Sequence, residues 1–168
     1  LLLCKTKPVR FRVISNSYYM KNMFNAADKK EIVARVNSLS ASSHRLWGTM
    51  HTEEMLWHLR SQLELALGII PQTTHVTTYM SKPIFRWMAL YVIPWKKSLP
   101  TAPEMNVKKQ NPAVQNLVTE KQLLLQRLDE VEAASDLEGH PLFGKMSRDL
   151  WSRLIWKHFD YHLKQFGS

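Results

Sequence analysis

The chain is short of cysteine, glycine and acid. Its 168 residues include one cysteine, Cys4, which excludes a disulfide framework and any cysteine-based zinc site. Five glycines exclude collagen-like or glycine-rich architecture. No apolar run approaches the roughly 20 residues needed to cross a bilayer, so no membrane span is expected. No internal repeat is found, and no period-two alternation beyond the short Phe11-Arg12-Val13-Ile14 stretch. The first absence argues against a repeat architecture and the second against a sheet protein. Acids number 14 against 23 Lys and Arg, for a net charge of +9.

What remains is ordinary for one globular domain. Hydrophobic residues make up 45% and charged residues 22%, which excludes a mostly disordered chain. The positive charge is uneven. Residues 1–19 hold Lys5, Lys7, Arg10 and Arg12 and no acid, and removing those four charges leaves +5 for residues 20–168. A surplus of that size needs no nucleic-acid partner. The segment 1–19 has no sustained periodicity and lacks the apolar stretch of a signal peptide. Met20 offers a natural start. Residues 1–19 are therefore read as an N-terminal extension outside the fold, and 20–168 as the domain. One unpaired thiol fits a cytoplasmic protein.

Four segments have helical periodicity. The first is about 26–38, with Ile32, Val33 and Val36 as its stripe and Asn25 as its cap. The second is about 52–67, with Thr52 as N-cap, Glu53 and Glu54 in the first turn, and Met55, Leu59, Leu63 and Ala66 inward. Gly68 and Pro71 end it. The third is about 112–134, with Pro112 at the first helical position. Its stripe runs Val114, Leu117, Val118, Leu124, Leu125, Leu128 and Val131. The fourth is about 147–165, opened by Ser147 and stopped by Gly167. Residues 82–95 are too apolar for an exposed loop and predict a short helix over one end of a bundle, between Pro83 and Pro94. Residues 98–112 read as a loop with little regular structure, and 135–146 as a second loop. The fold class is all-α, a bundle of four main helices with a short extra helix between the second and third.

There are seven histidines, and two carry the argument. The inward stripe of the fourth helix reads Trp151, Leu154, Ile155, His158, His162 and Phe166. His158 and His162 are four apart, so both rings lie on the face that meets the core. Two buried imidazoles one turn apart each bring ring nitrogens that must be satisfied, and one divalent ion satisfies both. On the wheel of the second helix, His58 is the best placed third ligand, near Gln62. His51 falls at or before the cap. His44, His75 and His140 lie in connections, where solvent can satisfy them. Three imidazoles leave coordination positions for water or substrate, the open geometry of a catalytic site.

The segments His140-Pro141-Leu142-Phe143-Gly144-Lys145-Met146-Ser147, Trp151, and Lys157-His158-Phe159-Asp160-Tyr161-His162-Leu163-Lys164-Gln165-Phe166-Gly167 resemble the C-terminal signature of the DinB-like (YfiT-like) metalloenzyme superfamily. More narrowly, they resemble a branch catalogued as a domain of unknown function. Leu46-Trp47-Gly48-Thr49-Met50, Glu54-Met55-Leu56-Trp57-His58-Leu59, Lys82-Pro83-Ile84-Phe85-Arg86-Trp87 and Pro100-Thr101-Ala102-Pro103-Glu104-Met105 are similar to the same branch. The resemblance spans about 22–167. It implies a four-helix bundle and a metal-binding triad of His58, His158 and His162, the same set that periodicity selects. It also implies a divalent transition metal, zinc or nickel, as cofactor. Some members of the superfamily transfer low-molecular-weight thiols onto electrophiles or act on thiol conjugates. Two positions depart from the branch: Tyr161 stands where a histidine is expected, and His51 where another polar residue is commoner.

A histidine-bound divalent ion with an open position brings the pKa of a bound water or thiol toward neutrality. Thiol transfer would then need no enzyme cysteine, and residues 20–168 contain none. Hydrolysis would add a carboxylate base. Glu54, four residues before His58, is the nearest acid on that helix, although its place in the first turn also suits a dipole partner. Asp160 points away from the two histidines on the wheel. Tyr161, His140 and Trp57 are candidates to line the pocket mouth, with plain packing the alternative for Trp57. The reading is a metal-dependent thiol transferase or hydrolase acting on a small molecule, with a homodimer as one assembly. Two alternatives stand beside it. One is a metal-binding bundle without catalysis. The other is a basic nucleic-acid or membrane-surface binder using the tail and 82–95, which would bind in a salt-dependent way.

Overall fold

The computed structural model describes residues 20–72, 79–99 and 101–168. The expectations for the extension 1–19 and for His75 lie outside the described residues. The described chain is all-helical, with no strand among the described residues.

Helix α1 spans Ala26–Ser38 and starts where the Asn25 side chain accepts the Ala27 and Asp28 N–H groups. Helix α2 spans Thr52–Ala66, but its cap is His51 rather than Thr52. The Glu54 carboxylate accepts the His51 N–H at 2.8 Å, while the Thr52 hydroxyl turns away to donate to the Ser43 carbonyl. With an acid three residues in to accept the cap N–H, the turn closes one residue earlier than a threonine cap would place it.

Helix α3, Pro83–Trp87, continues into a π-helical turn over Met88–Val92. This is the extra helix expected between the prolines, yet its outer side is bare: Ile84 is 58% and Trp87 51% exposed, and only Ala89 and Leu90 are buried. Residues 98–112 are more regular than expected. A 3-10 turn, Pro103–Met105, leads into α4, Val107–Gln110, capped by the Asn106 side chain.

Helix α5 spans Leu117–Ala133, so the expected start at Pro112 is corrected. Asn116 accepts the Thr119 N–H at 3.0 Å and sets the start, because a side-chain cap satisfies a helix-end donor that Pro112 can only omit. Val118, expected in the buried stripe, is 64% exposed; six residues before Leu124, it is rotated about a third of a turn off that line. Glu120 takes the inward place and is fully buried. Helix α6 spans Arg148–Gln165 behind the Ser147 cap, with Trp151, Leu154, Ile155, His158, His162 and Phe166 all buried.

The four long helices pack on one another. Helix α2 lies against α5 and α6, and α1 against α6 and α5. Two cations of α6 tie down the π turn. Arg153 Nε donates to the Leu90 carbonyl at 3.0 Å, and Lys157 Nζ to the Ala89 and Ile93 carbonyls at 2.6 and 2.7 Å. The Trp95 indole N–H adds a bond to the Ala89 carbonyl. Carbonyls at the end of the short helix are thus satisfied from α6, which holds Trp95 above the core.

Candidate metal centre

Helix α2 supplies His58 and Gln62, one turn apart on its α6-facing side. Helix α6 supplies His158, His162 and Gln165. The three histidines are 3%, 7% and 6% exposed. Their ligand-capable atoms all lie within 4.8 Å of one another, and their ring centroids are 4.7–4.8 Å apart.

Each ring is oriented through Nδ1. His58 Nδ1 donates to the Met105 carbonyl at 2.8 Å. A carbonyl only accepts, so the proton is on Nδ1 and the Nε2 lone pair is free. His162 Nδ1 donates to Gln165 Oε1 at 2.8 Å. That amide has its orientation fixed independently, because Gln165 Nε2 donates to the Trp47 carbonyl at 2.7 Å. His158 Nδ1 donates to Gln62 Oε1 at 2.8 Å. The result is three neutral imidazoles whose Nε2 lone pairs converge, with His58 Nε2 and His158 Nε2 3.0 Å apart. Lone pairs at that distance repel unless a proton or a cation lies between them. In a tetrahedral zinc site, bonds of about 2.0–2.1 Å put two nitrogens about 3.3 Å apart. The donor set therefore fits a divalent ion, and Nδ1 bonds of this kind are what orient metal-ligating histidines.

Electrostatics favours the same state. Burial pushes the His58 imidazole below its ordinary pKa. Burial, then the charges that His162, His58 and His140 would carry, hold His158 well below it. Burial and His58 push His162 down to about 3. All three rings are neutral at pH 7, the form that binds a metal.

The supporting backbone is specific. Gly48 has φ +78°, and a Cβ there would stand 2.5 Å from Gln165 Nε2. A side chain at 48 would displace the amide that orients His162. Asn106 caps α4 and Gln110 Nε2 donates to the Pro103 carbonyl, so the turn that presents the Met105 carbonyl is held from below.

Trp95 lies 5.9 Å from the His158 ring, and Tyr161 stands edge-on to His162 at 4.9 Å. Trp47 packs on Tyr161 at 6.0 Å. The Tyr161 hydroxyl accepts the Ser98 N–H and donates to the Lys96 carbonyl, so the segment after Trp95 is latched to α6.

Other expected residues fall elsewhere. Glu54 is paired with Lys108 at 2.6 Å and with the His51 N–H, and these bonds hold its carboxyl below the usual range. It caps a helix and does not join the cluster. Asp160 is ion-paired to Arg35 and Lys164. His44 and His51 line a separate cavity of about 500 Å³ with Arg45, Thr52, Glu53 and Phe166. His140 is not solvated: it is buried, its Nδ1 accepts the Leu142 and Phe143 N–H groups, and burial pushes it down to about 4. Trp57 is buried as well. Sequence reasoning missed Gln165, the Met105 carbonyl and Glu104, a buried acid whose charge reaches His140. Gln165 was findable, three residues after His162 on one helix face. A main-chain carbonyl from a distant turn leaves no such signal.

The chain is thus an all-helical protein with a buried three-histidine cluster that could hold a metal ion. Residues 20–168 match the family described as "Protein of unknown function (DUF1569)", and the chain belongs to that family. No curated protein and no solved structure matches it.

Proposed function

We propose that this protein is a DinB-like four-helix-bundle metalloenzyme in which His58, His158 and His162 hold one divalent transition ion, zinc or nickel. The observation that carries the reading is the convergence of three neutral Nε2 lone pairs, each ring oriented from behind by its own acceptor. When bound, the ion would supply Lewis acidity and an open position for a thiol or water. The chain's own residues would do the rest. Gln62, Gln165 and the Met105 carbonyl keep the Nδ1 protons in place. Trp95 and Tyr161 shield the rings from solvent. The buried Trp47 indole N–H has no acceptor among the described residues and is available to a substrate oxygen. Residues 20–168 contain no cysteine, which favours a small thiol as substrate over an enzyme thiol as nucleophile. For a hydrolytic reaction, Glu104, buried one residue before the Met105 carbonyl that orients His58, is the candidate base.

A second reading, a metal-binding bundle without catalysis, is favoured by the depth of the cluster beneath Trp95. Metal content of the untagged protein tests the shared premise. About one equivalent of a divalent ion is expected, lost in His158→Ala/His162→Ala with helicity retained. No metal in the parent, and no uptake of added zinc, nickel or manganese, would sink both readings. Turnover of a small thiol with an electrophile then separates them.

A further inference from the structure

From Leu65 to Pro103 the chain has no Asp or Glu, yet it carries Lys82, Arg86, Lys96 and Lys97. The same stretch concentrates exposed apolar side chains. Seven of the twelve large exposed hydrophobics among the described residues fall within 79–99. Two ring pairs stand among them: Tyr79 packs on Phe85 with centroids 5.3 Å apart, and Trp87 stacks on the half-buried Tyr91 at 6.4 Å. Ile84, Val92 and Ile93 are exposed beside them. Arg86 is turned inward to the Phe143 and Lys145 carbonyls, which brings exposed Leu142 and Lys145 alongside the patch. Lys82, Lys96 and Lys97 are exposed, and among the described residues none is ion-paired to a carboxylate. The two acids that bracket the stretch, Glu64 and Glu104, are both buried.

An aromatic, apolar face rimmed by lysines matches the chemistry of an interfacial helix, whose rings enter the headgroup boundary while its cations meet lipid phosphates. No described helix is long and apolar enough to cross a membrane, so the match is to lying on a surface. A second copy of the chain fits less well. In a two-fold dimer a patch meets itself, and here cations would face cations with no acid to pair them.

We propose that the 79–99 face docks on an anionic phospholipid surface. This places the latch over the histidine cluster, Trp95 to Ser98, at the lipid boundary, and gives the protein a route to amphiphilic ligands.

The test is co-sedimentation of the full chain with phosphatidylcholine vesicles, with and without phosphatidylglycerol. Binding is expected only with the anionic lipid and weakens as salt rises. Lys82→Gln/Lys96→Gln/Lys97→Gln is expected to weaken partitioning roughly a hundredfold, at about fivefold per charge removed. Ile84→Ser/Trp87→Ser is expected to abolish stable retention at low salt. Both variants change exposed side chains, and unchanged helicity by circular dichroism checks the fold. Binding that both variants leave intact would assign it to another region, such as the basic residues of 1–19, and overturn the proposal. So would a dimer that Ile84→Ser/Trp87→Ser dissociates in a protein that ignores vesicles.

Discussion

Helix α2 buries polar groups on two sides, and the sides are built on opposite terms. Toward α5, opposite charges meet. Arg60 bonds Glu64 at 2.7 Å and the fully buried Glu120 at 3.1 Å, and Arg127 reaches Glu64 at 3.2 Å. Glu120 also accepts the Gln115 N–H. Every buried charge there has a counter-charge. Toward α6, like meets like. Three histidines are each satisfied on one nitrogen and turn the other on their neighbours. The first side closes its own electrostatics and holds the helices in register. The second could be completed by a cation, so buried polarity by itself does not mark a site. What marks it is a shared unmet need.

If the contrast holds, substitutions on the two sides fail differently. His158→Ala/His162→Ala should abolish metal uptake, and in the metal-free protein the loss of mutually repelling lone pairs should offset part of the cost of the cavity it opens. Isothermal titration with zinc beside urea unfolding reads both. Glu120→Ala should do the reverse, destabilising by about 3 kcal/mol because it strips a partner from a buried charge, with metal stoichiometry unchanged. A Glu120→Ala protein that lost metal yet kept its urea midpoint would erase the distinction. Next come the orienting groups. Gln165→Leu and Gly48→Ala should each weaken metal affinity by about 10–100-fold through loss of the His162 tether, measured by competition with a chelator.

Acid sharpens the comparison further. His140 titrates at about 4 in the folded chain, against about 6.5 when unfolded. The unfolded chain therefore binds the proton first. Stability is fully present above about 6.5 and drains away as pH falls toward 4. His162, down to about 3, acts in the same direction in the metal-free protein. His140→Phe should make the urea midpoint fall less between about pH 7 and about pH 5. The smallest effect belongs to Glu54→Gln. Its partner Lys108 is exposed, so the loss should be about 0.5 kcal/mol in urea unfolding, with no change in metal stoichiometry.

The sequence was most legible where a cap and a strong stripe coincide. Helix α1 runs from Ala26 to Ser38 as its pattern predicts, and α6 starts just after Ser147. The meeting of His58 with His158 and His162 was legible too, because spacing on two helices fixes which faces carry the rings. Legibility failed where two local signals competed. Pro112 and Asn116 both suit a helix start, and only the second supplies an acceptor. It failed again where burial comes from the chain's own turns. His140 reads as a loop residue, yet the loop folds its N–H groups back onto the ring. Short turns such as Pro103–Met105 have too few residues to show a period.

That turn has a consequence for how the protein can change over generations. His58 is aimed by a main-chain oxygen, which no point substitution at 105 can delete. The neighbouring imidazoles are aimed by side chains, each removable by a single replacement at 62 or 165. One corner of the cluster is therefore inherited with the path of the chain, and the other two residue by residue. Descendants of this sequence can retune or lose the centre through the two glutamines long before the His58 corner gives way.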